Sequence, residues 1–78
     1  MNKQEISPEL MATIRKAQVD EETGAIMYAF MAQREKNGKN KELLQQMATD
    51  EKIHAETWRN YTGEQLKPKK GKILWLKL

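Results

Sequence analysis

Hydrophobic and small residues recur along the chain at alternating spacings of three and four positions. This spacing is typical of an amphipathic helix, and strand-like alternation is absent. The repeating positions of a first stretch are Leu10, Ile14, Ala17, Glu21, Gly24, Tyr28 and Met31. Those of a second stretch are Leu44, Met47, Glu51, His54, Trp58 and Tyr61. The pattern predicts two helices that pack along these seams.

Helix start and stop signals occur at four places: Ser7-Pro8, Asn37-Gly38, Asn40 and Thr62-Gly63. The first fits an N-cap followed by a proline in the first turn. The second reads as a helix stop, the third as the cap of a new helix, and the fourth as its end. We therefore predict helices over about residues 8–36 and 41–61, joined by a short turn into an antiparallel hairpin of the all-α class.

Length and charge limit the domain organisation. With 78 residues and 9.1 kDa the chain forms one small domain, which we divide into a hairpin at 1–63 and a basic, partly apolar tail at 64–78. Residues 1–63 hold nine Lys or Arg against ten Asp or Glu, whereas the tail holds five Lys against one Glu. A near-neutral body lacks the basic face of a nucleic-acid binder, so we expect no nucleic-acid partner. The hydrophobic content of 38% favours oligomerisation.

Cysteine is absent, which excludes disulfides and cysteine-ligated metal sites and is compatible with a reducing compartment. The first residues carry no signal-peptide pattern, and no apolar run, including 73–76 near the C-terminus, is long enough to cross a bilayer. We expect a cytoplasmic protein.

Three ionisable residues interrupt the otherwise apolar seams: Glu21, Glu51 and His54. Because no Lys or Arg occupies either seam, a bound cation is the compensation left for the buried carboxylates. The spacing Glu51-x-x-His54 puts both side chains on one face of a helix, about one turn apart. Counted from the turn at about 1.5 Å per residue, Glu21 reaches the height of this pair to within a turn or two. The sequence therefore predicts that the three side chains converge on a metal ion.

One hairpin supplies only half of the ligand set that holds two metal ions in a four-helix bundle. A two-fold homodimer would supply four carboxylates and two histidines, which balance two divalent cations. It would also cover the apolar face that one hairpin leaves open. Glu21 alone has a second interpretation, a buried polar residue that fixes helix register, but such a device rarely uses two acids without a cation.

The segments 17–21 and 48–56, with Tyr28 after the first and Tyr61-Thr62-Gly63 and Pro68 after the second, resemble the ferritin-like, rubrerythrin-type family of di-iron carboxylate proteins. The sequence is particularly similar to the ferritin-like domains of iron-transporter-associated proteins. It implies a ferritin-like four-helix bundle in which Glu21, Glu51 and His54 bind metal and act in catalysis, with Tyr28 lining the site. It further implies two iron ions per dimer, with manganese or zinc as alternatives, and oxidation of ferrous iron by oxygen or peroxide.

The chain departs from the family in three ways. Family members usually carry all four helices in one chain, so this sequence is either a half-bundle that dimerises or the N-terminal part of a membrane-attached, iron-transporter-type protein. The lack of cysteine removes the rubredoxin-like electron relay. Gly24 stands where related sequences often carry another acid.

Several interpretations stay open. Tyr28 either contacts a ligand carboxylate or belongs to the core, and Asp50 either orients His54 or is solvated. The tail either packs on a partner hairpin or lies on an anionic membrane surface, and membrane association is expected only through the tail or through chain beyond it. The competing functional class is a non-catalytic helical dimerisation module.

Overall fold

The computed structural model describes residues 5–77. Its regular structure is helical, with α1 at Pro8–Arg34, α2 at Gly38–Thr62 and α3 at Lys70–Lys77. The first two helices pack against each other as a hairpin, and α3 contacts α1. The predictions of an all-α fold and a helical hairpin are therefore confirmed. Residues 1–4 and 78, which the predicted units include, lie outside the described residues.

The outer ends of the hairpin form as predicted. Ser7 caps α1, because its Oγ accepts a hydrogen bond from the Leu10 N–H at 3.1 Å and Pro8 follows it in the first turn. At the end of α2, Gly63 takes the left-handed conformation with φ 68° and donates its N–H to the Arg59 carbonyl at 2.7 Å. A residue with a Cβ would be strained in this conformation.

The turn between the helices differs from the prediction. Gly38 does not stop α1 and Asn40 does not cap α2; both lie inside α2. The chain leaves α1 through Glu35 in an extended conformation, so the turn needs no left-handed residue. Asn37 is the cap, since its Oδ1 accepts the Asn40 N–H at 3.0 Å. Asn37 thus has the capping role that spacing alone predicted for Asn40.

Small side chains separate the two long helices. The buried alanines of the hairpin are Ala25, Ala32, Ala48 and Ala55. This line lies about one residue to the side of the seam that the sequence analysis predicted, so Leu10 and Met31 remain 40% and 39% exposed. The difference arises because each helix carries two adjacent apolar stripes, and the smaller residues allow the closer approach.

The second stripe borders an open cavity of about 390 Å³, which we call the apolar groove; its lining includes Leu10, Ile14, Ala17, Trp58 and Tyr61. These residues belong to the predicted seams. The hairpin thus leaves much of its larger apolar surface without a neighbour from residues 5–77.

A buried polar bridge fixes the chain where it leaves α2. The Thr62 hydroxyl donates to Gln18 Oε1 at 2.7 Å, and Gln18 Nε2 donates to the Glu64 carbonyl at 2.7 Å. Both Gln18 and Thr62 are fully buried. Arg15 adds an ion pair to the Glu64 carboxylate at 2.8 Å. Since buried amides and hydroxyls are costly without partners, this bridge favours one path for the tail.

The tail then follows α1 and ends in a helix that the sequence analysis did not predict. Lys69 donates its N–H to Thr23 Oγ1 at 2.8 Å and places its Nζ 2.8 Å from Asp20 Oδ1. Within α3, Leu74 and Trp75 are 62% and 78% exposed. No helix among residues 5–77 is both long and apolar enough to cross a bilayer.

Candidate metal centre

The two long helices bring the three predicted ligands together. Glu21 extends from α1, while Glu51 and His54 extend from α2 one turn apart. One ligand atom from each of them lies within 4.8 Å of those of the other two. The helical spacing and the antiparallel arrangement therefore produce the convergence that the sequence analysis predicted.

The imidazole lies between the two carboxylates. His54 Nδ1 is 3.4 Å from Glu51 Oε1 and 3.7 Å from Glu21 Oε1. Two ligand atoms that bind one transition-metal ion at about 2.0–2.2 Å each lie roughly 3–4.4 Å apart. Both separations fall in this range. Two carboxylates and an imidazole suit iron, manganese or zinc, so the residues present fit a divalent metal ion.

Burial differs between the carboxylates and the histidine. The side chains of Glu21 and Glu51 are each 24% exposed, while that of His54 is 55% exposed. Glu21 Oε2 and Trp58 Nε1 are both buried, and neither makes a hydrogen bond of good geometry among the described residues. The Trp58 indole N–H nevertheless lies close enough to the Glu21 carboxyl to lower its pKa. A buried carboxylate oxygen without a donor is costly unless a cation compensates it.

The centre is open on one side. Glu21, His54, Thr57 and Trp58 line a cavity of about 280 Å³. Because Trp58 also lines the apolar groove, the cavity and the groove are adjacent. The exposed side of His54 therefore lies on the face of the hairpin that carries the groove.

Electrostatics at the centre disfavour two ionised carboxylates. Burial raises the pKa of Glu21, the neighbouring His54 lowers it, and the negative charge of Glu51 raises it further, while the Trp58 indole N–H lowers it; the pKa is raised on balance. The two ionised carboxylates together carry a charge of −2, which one divalent cation neutralises with the imidazole as a neutral ligand. A cation of this charge thus removes the repulsion that the fold alone leaves in place.

Gly24 gives the Glu51 carboxylate its space. A Cβ built on Gly24 would lie 2.8 Å from Glu51 Oε2, closer than real Cβ contacts come. A glycine inside a helix costs about 0.5–1 kcal/mol relative to alanine. The sequence analysis noted that position 24 lacks an acid but did not detect that the space is occupied by Glu51 from the other helix.

Other residues singled out from the sequence have different positions. Tyr28 is half-buried about 10 Å beyond Glu21 along α1, and its contact with the site stays a prediction. Asp50 accepts a hydrogen bond from Gln46 on its own helix at 2.8 Å instead of orienting His54. Trp58, which the sequence analysis placed only in the packing seam, borders the centre. Its spacing of four residues from His54 was the signal for this position.

We predict that Glu21→Gln stabilises the metal-free protein at neutral pH. A carboxyl with a raised pKa binds its proton more tightly in the folded than in the unfolded chain, so stability is lost as pH rises through the folded pKa. The glutamine side chain of the variant does not ionise, so the variant does not lose this stability as pH rises. Urea unfolding should show a larger free energy of unfolding for the variant at pH 7, with the difference shrinking in mild acid.

The matched control for this prediction is Glu56→Gln, since Glu56 pairs with Arg59 on the exposed face of α2, outside the centre. It should show no such gain. A Glu21→Gln variant that is less stable than the parent at pH 7 would contradict the electrostatic account.

Comparison with known proteins agrees with this geometry. The family model described as Rubrerythrin matches residues 10–73, a range that contains the hairpin seams and all three candidate ligands. No curated protein and no solved structure matches the chain. Since the match covers most of the sequence, the chain belongs to the rubrerythrin family, whose ferritin-like domain typically binds iron.

Proposed function

We propose that two copies of this chain form a four-helix bundle that holds two iron ions and oxidises ferrous iron with oxygen or peroxide. The observation that carries the proposal is the cluster of Glu21, Glu51 and His54, whose ligand atoms lie within 4.8 Å of one another beside an open apolar face. Family membership supports iron as the metal.

The apolar groove supports dimerisation. Its lining residues Leu10 and Trp58 come from different helices, so the groove runs across the hairpin. A second hairpin related by a two-fold axis would place an identical groove against it, which is the arrangement of most homodimers. The pairing would bury apolar surface that now faces water and would bring two half-sets of ligands together.

Each ligand has a distinct role in the proposed site. Glu21 and Glu51 bind and neutralise the cations, and four carboxylates in the dimer balance two divalent ions. His54 completes the shell of each ion from the exposed side. Bound ferrous iron would supply the electrons, one from each ion, that reduce the oxidant. Zinc would fit the same ligands without redox chemistry, so metal binding and oxidation are separate parts of the proposal.

The test of the proposal measures metal content and mass in the same sample. Protein purified without chelator should run at about twice 9.1 kDa by size exclusion with light scattering and hold about one metal ion per chain. Glu51→Ala and His54→Ala should each lower the bound metal at least tenfold at equal free metal. Glu56→Ala, which removes an exposed acid from the same helix, should retain it.

Three outcomes would contradict parts of this proposal. Retention of the ion by both variants would exclude the assigned ligands. A dimer that takes up no metal would favour the non-catalytic dimerisation module. A dimer that binds iron but oxidises it no faster than buffer does would exclude the ferroxidase activity and leave the metal site standing.

A second proposal concerns the tail, because α3 presents Leu74 and Trp75 to solvent at 62% and 78% exposure. The exposed lysines Lys70 and Lys72 lie on the same short helix. Exposed apolar side chains beside several positive charges suit an anionic lipid surface, where each lysine contributes about 1 kcal/mol. We propose that α3 binds such a surface from the aqueous side.

Vesicle sedimentation tests the lipid proposal. The protein should sediment with phosphatidylserine-containing vesicles and stay in solution with phosphatidylcholine alone. Leu74→Ala combined with Trp75→Ala should lose the binding, whereas Leu43→Ala, which removes a leucine of similar exposure from α2, should keep it. Equal sedimentation of the parent and the double variant would exclude α3 as the contact.

A further inference from the structure

Gly24 is the one glycine inside a long helix whose missing side chain is replaced by a group from another helix. A Cβ there would meet Glu51 Oε2 at 2.8 Å and the Cδ and Cγ atoms of Glu51 at 3.6 Å. By contrast, a Cβ on Gly38 or Gly71 would meet nothing within 4 Å. The carboxylate of Glu51 thus lies in the volume that any other residue at position 24 would fill.

The backbone does not explain this glycine. Among residues 5–77 the only positive φ belongs to Gly63, so Gly24 has an ordinary helical conformation that every L-residue adopts. A glycine here lowers helix propensity without relieving any backbone strain. The reason for a glycine at position 24 is therefore the space that its missing Cβ leaves.

The helices have little freedom to separate and accommodate a larger residue. Ala25 and Ala55 are 2% and 1% exposed, and they belong to the line of small side chains that sets the distance between α1 and α2. The end of the Glu51 side chain is the part that can move. A methyl group at position 24 would therefore displace the carboxylate, which now lies with Oε1 3.4 Å from His54 Nδ1.

We propose that Gly24 is a positioning residue of the metal centre: the space above it holds the Glu51 carboxylate against α1, within reach of the ligand atoms of Glu21 and His54. The inference rests on the proposed metal-binding function. In this inference Gly24, which has no side chain, determines where the Glu51 carboxylate of the neighbouring helix lies. A glycine at position 24 makes α1 less stable than an alanine would, but it leaves the Glu51 carboxylate in position to bind a metal ion.

The test compares the stability and Co²⁺ affinity of two glycine-to-alanine variants, each changed at one helical position. Gly24→Ala should fold at least as stably as the parent, because alanine favours the helix and only a flexible side-chain end has to move. Its affinity for Co²⁺, measured by competition with a chelating dye, should fall about 10- to 100-fold. Gly38→Ala, whose new methyl group meets nothing within 4 Å, should bind Co²⁺ like the parent.

A double-mutant cycle identifies the residue through which Gly24 acts. In a Glu51→Ala background, Gly24→Ala should cause no further loss of Co²⁺ affinity, because the displaced carboxylate is already gone. A Gly24→Ala protein that binds Co²⁺ like the parent would overturn the inference. A loss of the same size in both backgrounds would also overturn it, since the effect would not pass through Glu51.

A metal-free readout separates this inference from the proposed function. His54 is the only histidine, so its ring signals in an NMR spectrum of the metal-free protein are readily assigned. Because Glu51 Oε1 lies 3.4 Å and Glu21 Oε1 3.7 Å from its Nδ1, these signals are sensitive to a displacement of the Glu51 carboxylate. At one fixed pH they should shift in Gly24→Ala and stay in place in Gly38→Ala. If the parent binds no Co²⁺ but the shift occurs, the metal site fails and the positioning role holds. Unchanged signals in Gly24→Ala would exclude that role.

Discussion

Two carboxylates held between helices without a matching cationic side chain are the constraint on which the rest of the structure depends. Glu21 and Glu51 are each 24% exposed, and one buried oxygen of Glu21 makes no hydrogen bond of good geometry among the described residues. Folding brings these charges together at an electrostatic cost, because burial and the negative charge of Glu51 both raise the pKa of Glu21. Proteins retain such arrangements where a ligand repays the cost, and a divalent cation has the matching charge.

The surrounding packing serves the same arrangement. Alanines such as Ala25 and Ala55 let the helices approach closely enough for ligand atoms of α1 and α2 to lie within 4.8 Å of one another, and Gly24 leaves room for Glu51. The larger apolar residues, by contrast, line the open groove. One stripe of each helix thus forms the hairpin, and the other is suited to a second hairpin. In the proposed dimer, this division would let a chain of 78 residues supply half of a site and half of a core.

Sequence reasoning predicted the hairpin and the convergence of Glu21, Glu51 and His54, because helical periodicity and spacing are local properties. It failed where several local solutions compete. Asn37 and Asn40 are both good caps, and only the geometry of the turn selects the first. The seam register was off by about one residue because apolar periodicity does not say which of two adjacent stripes faces which neighbour.

The role of position 24 was beyond sequence reasoning for a related reason. Its occupant comes from a residue 27 positions away, and no periodicity within α1 signals it. The central claim, that two sets of Glu21, Glu51 and His54 share one dry interface with two metal ions, is tested most directly by anomalous diffraction from crystals grown with iron. We expect a two-fold dimer with two iron peaks about 3.5–4 Å apart among these side chains. A structure with no peak there, or with the apolar groove facing solvent, would contradict the account.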